Sequence, residues 1–402
     1  MRITFPDNFL WGAGTSSHQV EGGTDNDWDA WERKNAKRLS DEAKDKWEQW
    51  QKKKFPEMFD ADNYIAGDAC DHYNRFTKDF DIAQKLGHNA HRFSIEWSRI
   101  EREEGVFDSH ALDHYRDVVN ALCEKGIAPF VTLWHWTLPR WLVKQDGVMS
   151  EKFIFYFERY TRTVAEHLGK SVKFWITINE PDVYASKSFL QGAWPPQRRN
   201  FFAYHRVLKQ LAKAHRASYH MIKEINESAQ VGITKNSPYV KIIPLFNFVI
   251  GQRFFRMIKK CQDFIGINYY KSFDYSRDNR STLSDIGWRI NPRGFYNVLM
   301  AVREYGLPIY ITENGLADAD DKKRSDFIRD HLYWMWKAIR NGADVRGYLH
   351  WSLLDNFEWD KGFWPRFGLV GVNYKTQERT IRKSAMMYKN IIKQNGYEYH
   401  HK

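Results

Sequence analysis

Two glutamates follow short β-rich runs and are candidates for a catalytic pair. Glu180 comes after the run at 172–179, and Glu313 comes after the run at 308–312. Two facing carboxyl groups can hydrolyse a glycosidic bond when one stays protonated, to donate to the leaving oxygen, and the other is ionised, to attack carbon or activate water. A single glutamate at a strand end is more often a salt-bridge partner or a helix cap, so the surrounding residues decide between the two interpretations.

The ends of other runs supply groups that suit such a pair. The guanidinium of Arg92 and the hydroxyl of Tyr270 could stabilise a carboxylate at Glu313. Asn179 precedes Glu180, and its amide could bond a sugar 2-hydroxyl, a contact that strengthens in the transition state. We therefore predict catalytic roles for both glutamates, with Arg92 and Asn268 as supporting residues.

Eight β-rich runs alternate with segments of helical spacing, without a GxGxxG motif. This alternation predicts an α/β fold, a closed (β/α)8 TIM barrel whose site is built at the carboxyl ends of the strands. We expect one domain over residues 1–402, with insertions on the barrel rim. The runs lie at 8–14, 89–94, 127–134, 172–179, 230–235, 263–269, 308–312 and 345–351, the helical patterns include 111–125, 150–167, 203–227, 322–341 and 380–394, and the expected helix stops are Gly126, Gly169, Gly306 and Gly342.

Two connections depart from the plain alternation. The segment 24–71 is long, polar and rich in tryptophan, and its Lys/Glu-rich middle at 35–54 predicts an exposed helix on the rim. The connection at 236–262 is brief and rich in Phe and Ile, which leaves little room for a full-length helix beside a loop.

Composition excludes several classes of protein. Hydrophobic residues make up 43% and charged residues 28%, a globular balance rather than that of a disordered chain. The longest apolar run, around 244–251, is too short for a membrane helix, and the first residues lack a signal peptide's apolar stretch. These features predict a cytoplasmic enzyme without a membrane partner. Three widely spaced cysteines predict buried thiols, not disulfides or a zinc site.

Charge and aromatic content bear on the partners. The net charge of +11 is spread along helical segments, which favours a solvated surface over nucleic-acid binding. The histidines show no ligand spacing with carboxylates, so we expect no metal and no cofactor. The 17 tryptophans, 21 tyrosines and 27 phenylalanines could fill a core or stack on sugar rings, and composition leaves both interpretations open.

Seven motifs, in order, run from one end of the chain to the other. They are FLWGAGTSSHQVEG, RFSIEWSRI, LWHWTLP, TINEP, FIGINYY, ITENG and WSLLDNFEW, the last followed by RFGLV. With them the chain resembles glycoside hydrolase family 1, the β-glucosidase family. The resemblance implies that Glu180 in TINEP is the acid/base, that Glu313 in ITENG is the nucleophile, and that hydrolysis proceeds with retention through a covalent glycosyl–enzyme.

The same resemblance assigns a sugar pocket. It implies contacts to the glycone hydroxyls from five residues, a stacking platform at Trp351, a further substrate contact at Tyr270 and an aglycone contact at Trp288, whereas Phe367 is either a second aglycone wall or a core residue. Relatives that act on 6-phosphorylated sugars carry a small hydroxyl residue where this chain has Glu358, and a carboxylate there would repel a phosphate. The five residues that match the glycone contacts are Gln19, His135, Asn179, Glu358 and Trp359.

The predicted activity is hydrolysis of terminal β-D-glucosyl residues, with galactosyl or fucosyl residues also accepted, from a small β-glycoside or oligosaccharide. Two alternatives stay open. One is a 6-phospho-β-glycosidase, and the other is a catalytically silent barrel that binds sugar. The presence of both glutamates argues against the silent barrel, because a protein that only binds sugar gains nothing from a proton donor and a nucleophile.

Overall fold

Eight parallel strands close into a barrel in the computed structural model, which describes residues 1–240, 253–273 and 283–400. Each strand pairs in parallel with the next in sequence, and the last pairs with the first. The predicted (β/α)8 barrel is confirmed, and each predicted run overlaps one strand. The strands are β1 Leu10–Gly14, β2 Ala90–Ser94, β3 Ala128–Trp134, β4 Phe174–Asn179, β5 Gln230–Asn236, β6 Phe264–Tyr269, β7 Ile309–Asn314 and β8 Val345–Trp351.

An aromatic floor fills the amino-terminal half of the barrel. Phe130 and Phe174 stack with ring centroids 4.2 Å apart, and Phe264 meets Tyr310 edge-on at 5.3 Å. These rings come from the first residues of their strands, so they close the end of the barrel opposite to the carboxyl ends. The strands approach so closely that a Cβ on Gly12 would lie 1.7 Å from the carbonyl oxygen of Ala90. The barrel is therefore a packed support and not a pore.

Long helices surround the strands, and all five predicted helices are confirmed to within three residues at each end. The fifth, predicted at 380–394, begins only at Lys383, because Glu378–Ile381 pairs as an antiparallel strand with Val370–Asn373. All four predicted helix-stop glycines have positive φ. The helices are α1 Asp27–Lys46, α2 His72–Lys85, α3 Ser109–Glu124, α4 Phe153–Leu168, α5 Phe201–Ile225, α6 Pro292–Val302, α7 Arg324–Arg340 and α8 Lys383–Lys393.

The rim segment contains a helix, but not the exposed one that its charges predict. Helix α1 begins at Asp27, where the Asn26 side chain accepts a hydrogen bond from a first-turn N–H, and it buries Trp28, Trp31 and Leu39 along one face. It ends at Lys46, and a separate short helix, Gln49–Lys54, follows. The lysines and glutamates in the sequence mark only the outer face, whereas the tryptophans bind the helix to the barrel mouth.

Shorter elements complete the described part of the chain. The connection at 236–262 holds a strand at Tyr239–Val240 and a five-residue helix at Arg253–Met257, and the apolar run around 244–251 lies outside the described residues. The other strands are Arg2–Thr4, Glu101–Glu103, Val106–Phe107, Ser272–Phe273 and Gly396–Glu398. The other helical turns are Ser17–Val20, Pro56–Phe59, Ala61–Tyr64, Trp97–Ile100, Arg140–Lys144, Gly147–Met149, Gly169–Ser171, Pro181–Ala185, Ser186–Leu190, Arg303–Tyr305 and Trp359–Lys361.

Two sequence expectations concern buried thiols and membrane segments. Cys70 and Cys261 are buried, but Cys123 is exposed, because it lies near the end of α3 on its outer side. The prediction of three buried thiols is therefore wrong at Cys123. Within the described ranges, no helix has the length and apolar character needed to cross a membrane.

Candidate active site

The two glutamates lie buried at the carboxyl ends of β4 and β7. Glu313 is the fifth residue of β7, and Glu180 directly follows Asn179, the last residue of β4. Glu180 has φ 42° and ψ 61°, a left-handed conformation that turns the chain into the short helix Pro181–Ala185. The two residues are 3% and 4% exposed, respectively. Their carboxyl groups are thus largely removed from water, which strengthens every charge interaction at the barrel mouth.

Glu313 is surrounded by groups that favour its ionised form. The buried guanidinium of Arg92 donates a hydrogen bond to its Oε1, and the Tyr270 hydroxyl donates to its Oε2 at 2.5 Å. Burial raises the pKa of Glu313, and the charge of Arg92 and the hydrogen bond from Tyr270 oppose that rise. The structure therefore brings both residues to the glutamate for which the sequence predicts them.

Glu180 has a less stabilising environment. Asn268 Nδ2 donates to Glu180 Oε1 at 2.7 Å, and Thr312 Oγ1 donates to Asn268 Oδ1 at 2.8 Å, which fixes the orientation of the amide. Burial, followed by the negative charge of Glu313, raises the pKa of Glu180 to about 8. Because Arg92 bonds Glu313 and not Glu180, a proton shared by the pair resides on Glu180.

Arg92 also orients Asn179 and, through it, His135. Arg92 Nη2 donates to Asn179 Oδ1 at 2.6 Å, so the other end of that amide, Nδ2, donates to His135 Nε2 at 3.0 Å. Burial, with the positive charge of Arg92, lowers the pKa of His135 well below its usual range. His135 is therefore neutral, and the hydrogen-bond pattern places its proton on Nδ1. No described residue bonds that buried Nδ1, which is left to donate to a ligand.

Gln19 comes from the short helix after β1 and is tied to the loop after β8. Its Nε2 donates to Asn356 Oδ1 at 3.0 Å and to the Phe357 carbonyl oxygen at 2.6 Å, while the Ser16 hydroxyl donates to its Oε1 at 2.6 Å. Both of its N–H groups are thus engaged within the protein. One lone pair on Oε1 is available, so Gln19 can accept a hydrogen bond from a sugar hydroxyl in this arrangement.

Aromatic rings form one wall of the site. His135 lies nearly parallel to Trp351, with centroids 6.2 Å apart, and to Trp359, at 5.9 Å. Both tryptophans are buried, and they present flat apolar faces beside polar N–H groups. This combination suits the C–H faces and the hydroxyls of a pyranose ring.

The sequence analysis missed the layer that supports Trp359. The centroid of its ring lies 4.6 Å from that of Trp28 and 4.7 Å from that of Trp136. It also stacks on the His18 ring, with centroids 5.5 Å apart. His18 Nε2 lies 2.7 Å from the Glu32 carboxylate, and although burial opposes the change, Glu32 raises the pKa of His18. The tryptophans of the rim segment indicate that it packs against something apolar. Only the fold shows that α1 in this segment reaches Trp359.

Glu358 lies at the edge of the pocket, in the loop after β8. It is 9% exposed. Burial raises the pKa of Glu358 to about 7, against the opposing positive charge of Lys361. The carboxyl is available to bond two sugar hydroxyls, either as donor or as acceptor, depending on pH.

Trp288 forms a second wall, near Glu313. Its half-buried ring lies 5.6 Å from that of Tyr270 and 6.2 Å from that of Phe367. Phe367 is 2% exposed and belongs to a buried cluster with Trp351, so its main role is in the core.

The structure brings all twelve sequence-predicted site residues to one end of the barrel. In the part of the chain that the structure describes, no group of three or more His, Cys, Asp or Glu residues could hold a metal ion.

Two comparisons of sequence bear on this site. Residues 1–245 and 247–397 match the sequence profile of Glycosyl hydrolase family 1. Beta-glucosidase A from Thermotoga maritima is 35% identical, over 98% of this chain and 99% of that protein. A β-galactosidase from Pyrococcus woesei is 30% identical over 98% of both chains.

Solved structures agree with the sequence comparisons. The β-glycosidase from Pyrococcus horikoshii superposes with a TM-score of 0.87 at 36% identity, covering 99% of this chain and 97% of that one. The β-glucosidase from Thermotoga maritima in complex with deoxynojirimycin superposes with a TM-score of 0.85 at 32% identity, covering 98% and 100%. The chain belongs to glycosyl hydrolase family 1 and is a glycoside hydrolase with β-glycosidase activity.

Proposed function

We propose that the protein is a retaining β-glycosidase that removes terminal β-D-glucosyl residues by double displacement. The observation that carries the proposal is the contrast between two neighbouring buried carboxyls. Arg92 and Tyr270 stabilise the ionised form of Glu313, whereas burial and that negative charge raise the pKa of Glu180 to about 8. One carboxylate and one carboxylic acid at neutral pH are what this reaction needs.

Each glutamate has one role in each of two steps. In the first, Glu313 attacks the anomeric carbon, the bond to the leaving oxygen breaks, and that oxygen takes the proton of Glu180. In the second, Glu180 accepts a proton from water, whose oxygen attacks the anomeric carbon and releases Glu313. We propose that the two carboxyl groups lie about 5–5.5 Å apart, the separation typical of retention.

The glycone pocket is assembled from donors and acceptors already oriented by the protein. His135 Nδ1 can donate, Gln19 Oε1 can accept, and Glu358 can do either, while Asn179 is held by Arg92 close to Glu180. Trp351 and Trp359 supply the flat faces. The related Thermotoga enzyme holds deoxynojirimycin, a ring of sugar size, which supports a small sugar substrate here.

Galactosyl and fucosyl substrates are part of the proposal. The Pyrococcus woesei relative is named a β-galactosidase, and the Thermotoga relatives are named β-glucosidases. Gln19 and Glu358 match the residues that reach the 4-hydroxyl region in the family, and both can bond a hydroxyl of either configuration.

A panel of aryl β-glycosides tests the proposal and the 6-phospho alternative together. We expect hydrolysis of the free glucoside and, at pH about 7.5, where Glu358 is largely ionised, a kcat/KM for the 6-phosphoglucoside at least about 10²-fold lower, because Glu358 then places a second negative charge at the sugar. The matched variant Glu358→Ser should narrow that gap. Equal rates on the free and phosphorylated glucosides would contradict the assignment of Glu358, and no hydrolysis of any free glycoside would contradict the proposed function.

A pH profile tests the assignment of the two carboxyls. We expect kcat/KM to fall as pH rises through about 8, where Glu180 loses its proton, and to fall at low pH, where Glu313 gains one. Arg92→Gln removes the charge that opposes protonation of Glu313. The acidic limb should therefore move to higher pH and kcat/KM should drop about 10²-fold.

The control for this profile is Arg92→Lys, which keeps the charge but loses the planar fork. Its acidic limb should move less than that of Arg92→Gln. An acidic limb that stays in place in Arg92→Gln would show that the titrating group is not Glu313.

We also propose that residues 1–402 form one domain. The strand Arg2–Thr4, near the start, pairs with Gly396–Glu398, near the end, and the Trp11 indole N–H donates to Asn395 Oδ1 at 3.0 Å. Contacts that join the two termini to the same barrel support a single folding unit. Independent unfolding of two parts in calorimetry would contradict it.

A further inference from the structure

Four lysines surround the barrel mouth, and two of them have a carboxylate partner in the part of the chain that the structure describes. Lys361 Nζ lies 3.1 Å from Asp360 Oδ1, and Lys46 Nζ lies 3.8 Å from Asp360 Oδ2. Lys187 and Lys271 are half-buried, and among the described residues neither has an ion-pair partner within 4 Å. The lysines come from three strand-end loops and the rim helix, so they converge without belonging to one helical face.

Of the two ammonium groups without a described ion-pair partner, one lies over Trp288 and the other over Trp194, a neighbour of Trp359. Lys271 directly follows Tyr270, and its Nζ is 4.8 Å from the centroid of the Trp288 ring. Lys187 Nζ is 5.9 Å from the ring of Trp194, which in turn lies 6.1 Å from Trp359. Each lysine is therefore held at a wall of the pocket rather than in open solvent.

The positive charges of neighbouring lysines act on both of these groups. Burial lowers the pKa of Lys271 to about 8, and the positive charges of Lys361 and Lys187 add to this effect. Burial also lowers the pKa of Lys187, with Asp360 opposing and Lys361 and Lys46 adding to the decrease. Half-buried cations that repel one another are destabilising, and an anion that joins them relieves that repulsion.

The position of Lys271 indicates which end of the substrate carries that anion. Lys271 lies over Trp288, the predicted aglycone contact. The negative charge of Glu180, which faces the leaving oxygen in the proposed mechanism, also acts on Lys271. Glu358, by contrast, places negative charge beside the glycone at pH above about 7, where its carboxyl group is ionised. An anion on the aglycone would meet Lys271, on which the charge of Lys187 also acts, whereas an anion on the glycone would lie beside Glu358.

We propose that the enzyme prefers β-glycosides whose aglycone bears a carboxylate, and that Lys187 and Lys271 select it. This inference rests on the proposed β-glucosidase function and adds the class of its aglycone. The lysines act on binding and not on bond cleavage, so they determine specificity without being catalytic residues.

The test compares two glucosides that differ in one charge. The 3-carboxyphenyl and 3-carbamoylphenyl β-glucosides have similar shapes and similar leaving oxygens. At pH about 6.5, which is below the pKa of Lys271, that lysine is charged and the carboxylate of the aglycone is ionised. We expect kcat/KM to be about tenfold higher for the carboxylate, and the ratio to approach one in about 1 M NaCl, because partly exposed ion pairs are screened.

The double variant Lys187→Gln/Lys271→Gln should reduce that ratio to about one. Lys213→Gln, on the exposed side of α5, is the matched control and should keep the ratio of the unmodified enzyme. The salt dependence of the unmodified enzyme provides the same test without a substitution if the double variant does not fold.

The outcomes separate the inference from the function on which it rests. Hydrolysis of neither glucoside would overturn both. Hydrolysis of the neutral carboxamide with a ratio of one or less, or a ratio that the double variant leaves unchanged, would overturn only the aglycone inference. A lysine-dependent preference for a glucoside phosphorylated on the sugar would place the anion on the glycone and overturn it as well.

Discussion

Replacing Glu313 by glutamine should lower kcat for an aryl β-glucoside by about 10⁴- to 10⁶-fold, the largest effect expected of any substitution in this protein. The amide cannot form the covalent intermediate, and it also leaves Arg92 buried without its carboxylate. Fold and substrate binding should persist, because the sugar contacts lie on other residues. Steady-state kinetics, circular dichroism and calorimetric binding of the intact substrate measure the three properties.

Glu227→Gln is the matched control and should retain full activity, because Glu227 is exposed in the loop between α5 and β5. If Glu313→Gln kept more than a few per cent of the activity, another group would be the nucleophile. If it lost binding and fold together, the variant would show only a structural role, and Glu313→Asp, which keeps the charge but withdraws it from the anomeric carbon, would then decide.

Replacing Glu180 by alanine should give the second largest effect, and its size should depend on the leaving group. Glu180 is the acid that protonates the departing oxygen, so an alkyl glucoside or cellobiose should react about 10³-fold more slowly. A dinitrophenolate needs little protonation, and the first step with that substrate should be slowed by only about tenfold. Pre-steady-state kinetics on both substrates measure the difference.

In the same variant the second step lacks its base. The glycosyl–enzyme should therefore accumulate on Glu313, where intact-protein mass spectrometry detects one added hexose. Azide is a small nucleophile that needs no base, so it should restore turnover and yield β-glucosyl azide, since two inversions still occur. An α-azide would mean that azide takes the place of Glu313, and the two roles would be exchanged. Equal losses on good and poor leaving groups without rescue would mean that Glu180 is structural.

The strands were predictable because nearly all of their residues are buried, with the exceptions close to the strand ends. Parallel strands with both faces covered have near-continuous apolar runs, as in Phe264–Tyr269, and polar residues interrupt them only where the barrel opens. That interruption is the local signal that identified Glu180 and Glu313. The family resemblance then assigned their roles.

Long-range contacts were not predictable from local pattern. Nothing in the spacing shows that one guanidinium, that of Arg92, joins Glu313 to Asn179, and so orients the amide that fixes the tautomer of His135. The charges of the rim segment predicted an exposed helix, whereas Trp28 anchors α1 against Trp359. Partners distant in sequence, not propensity, decide these features.

The configuration of the first sugar released tests most directly whether Glu180 and Glu313 carry out a retaining double displacement. Proton nuclear magnetic resonance of the unmodified enzyme acting on an aryl β-glucoside resolves the two anomeric signals before mutarotation mixes them. Double displacement predicts that β-glucose forms first and that α-glucose appears only later, as the solution equilibrates. Initial formation of α-glucose would show a single inversion, and the assignment of Glu313 as a nucleophile would be wrong.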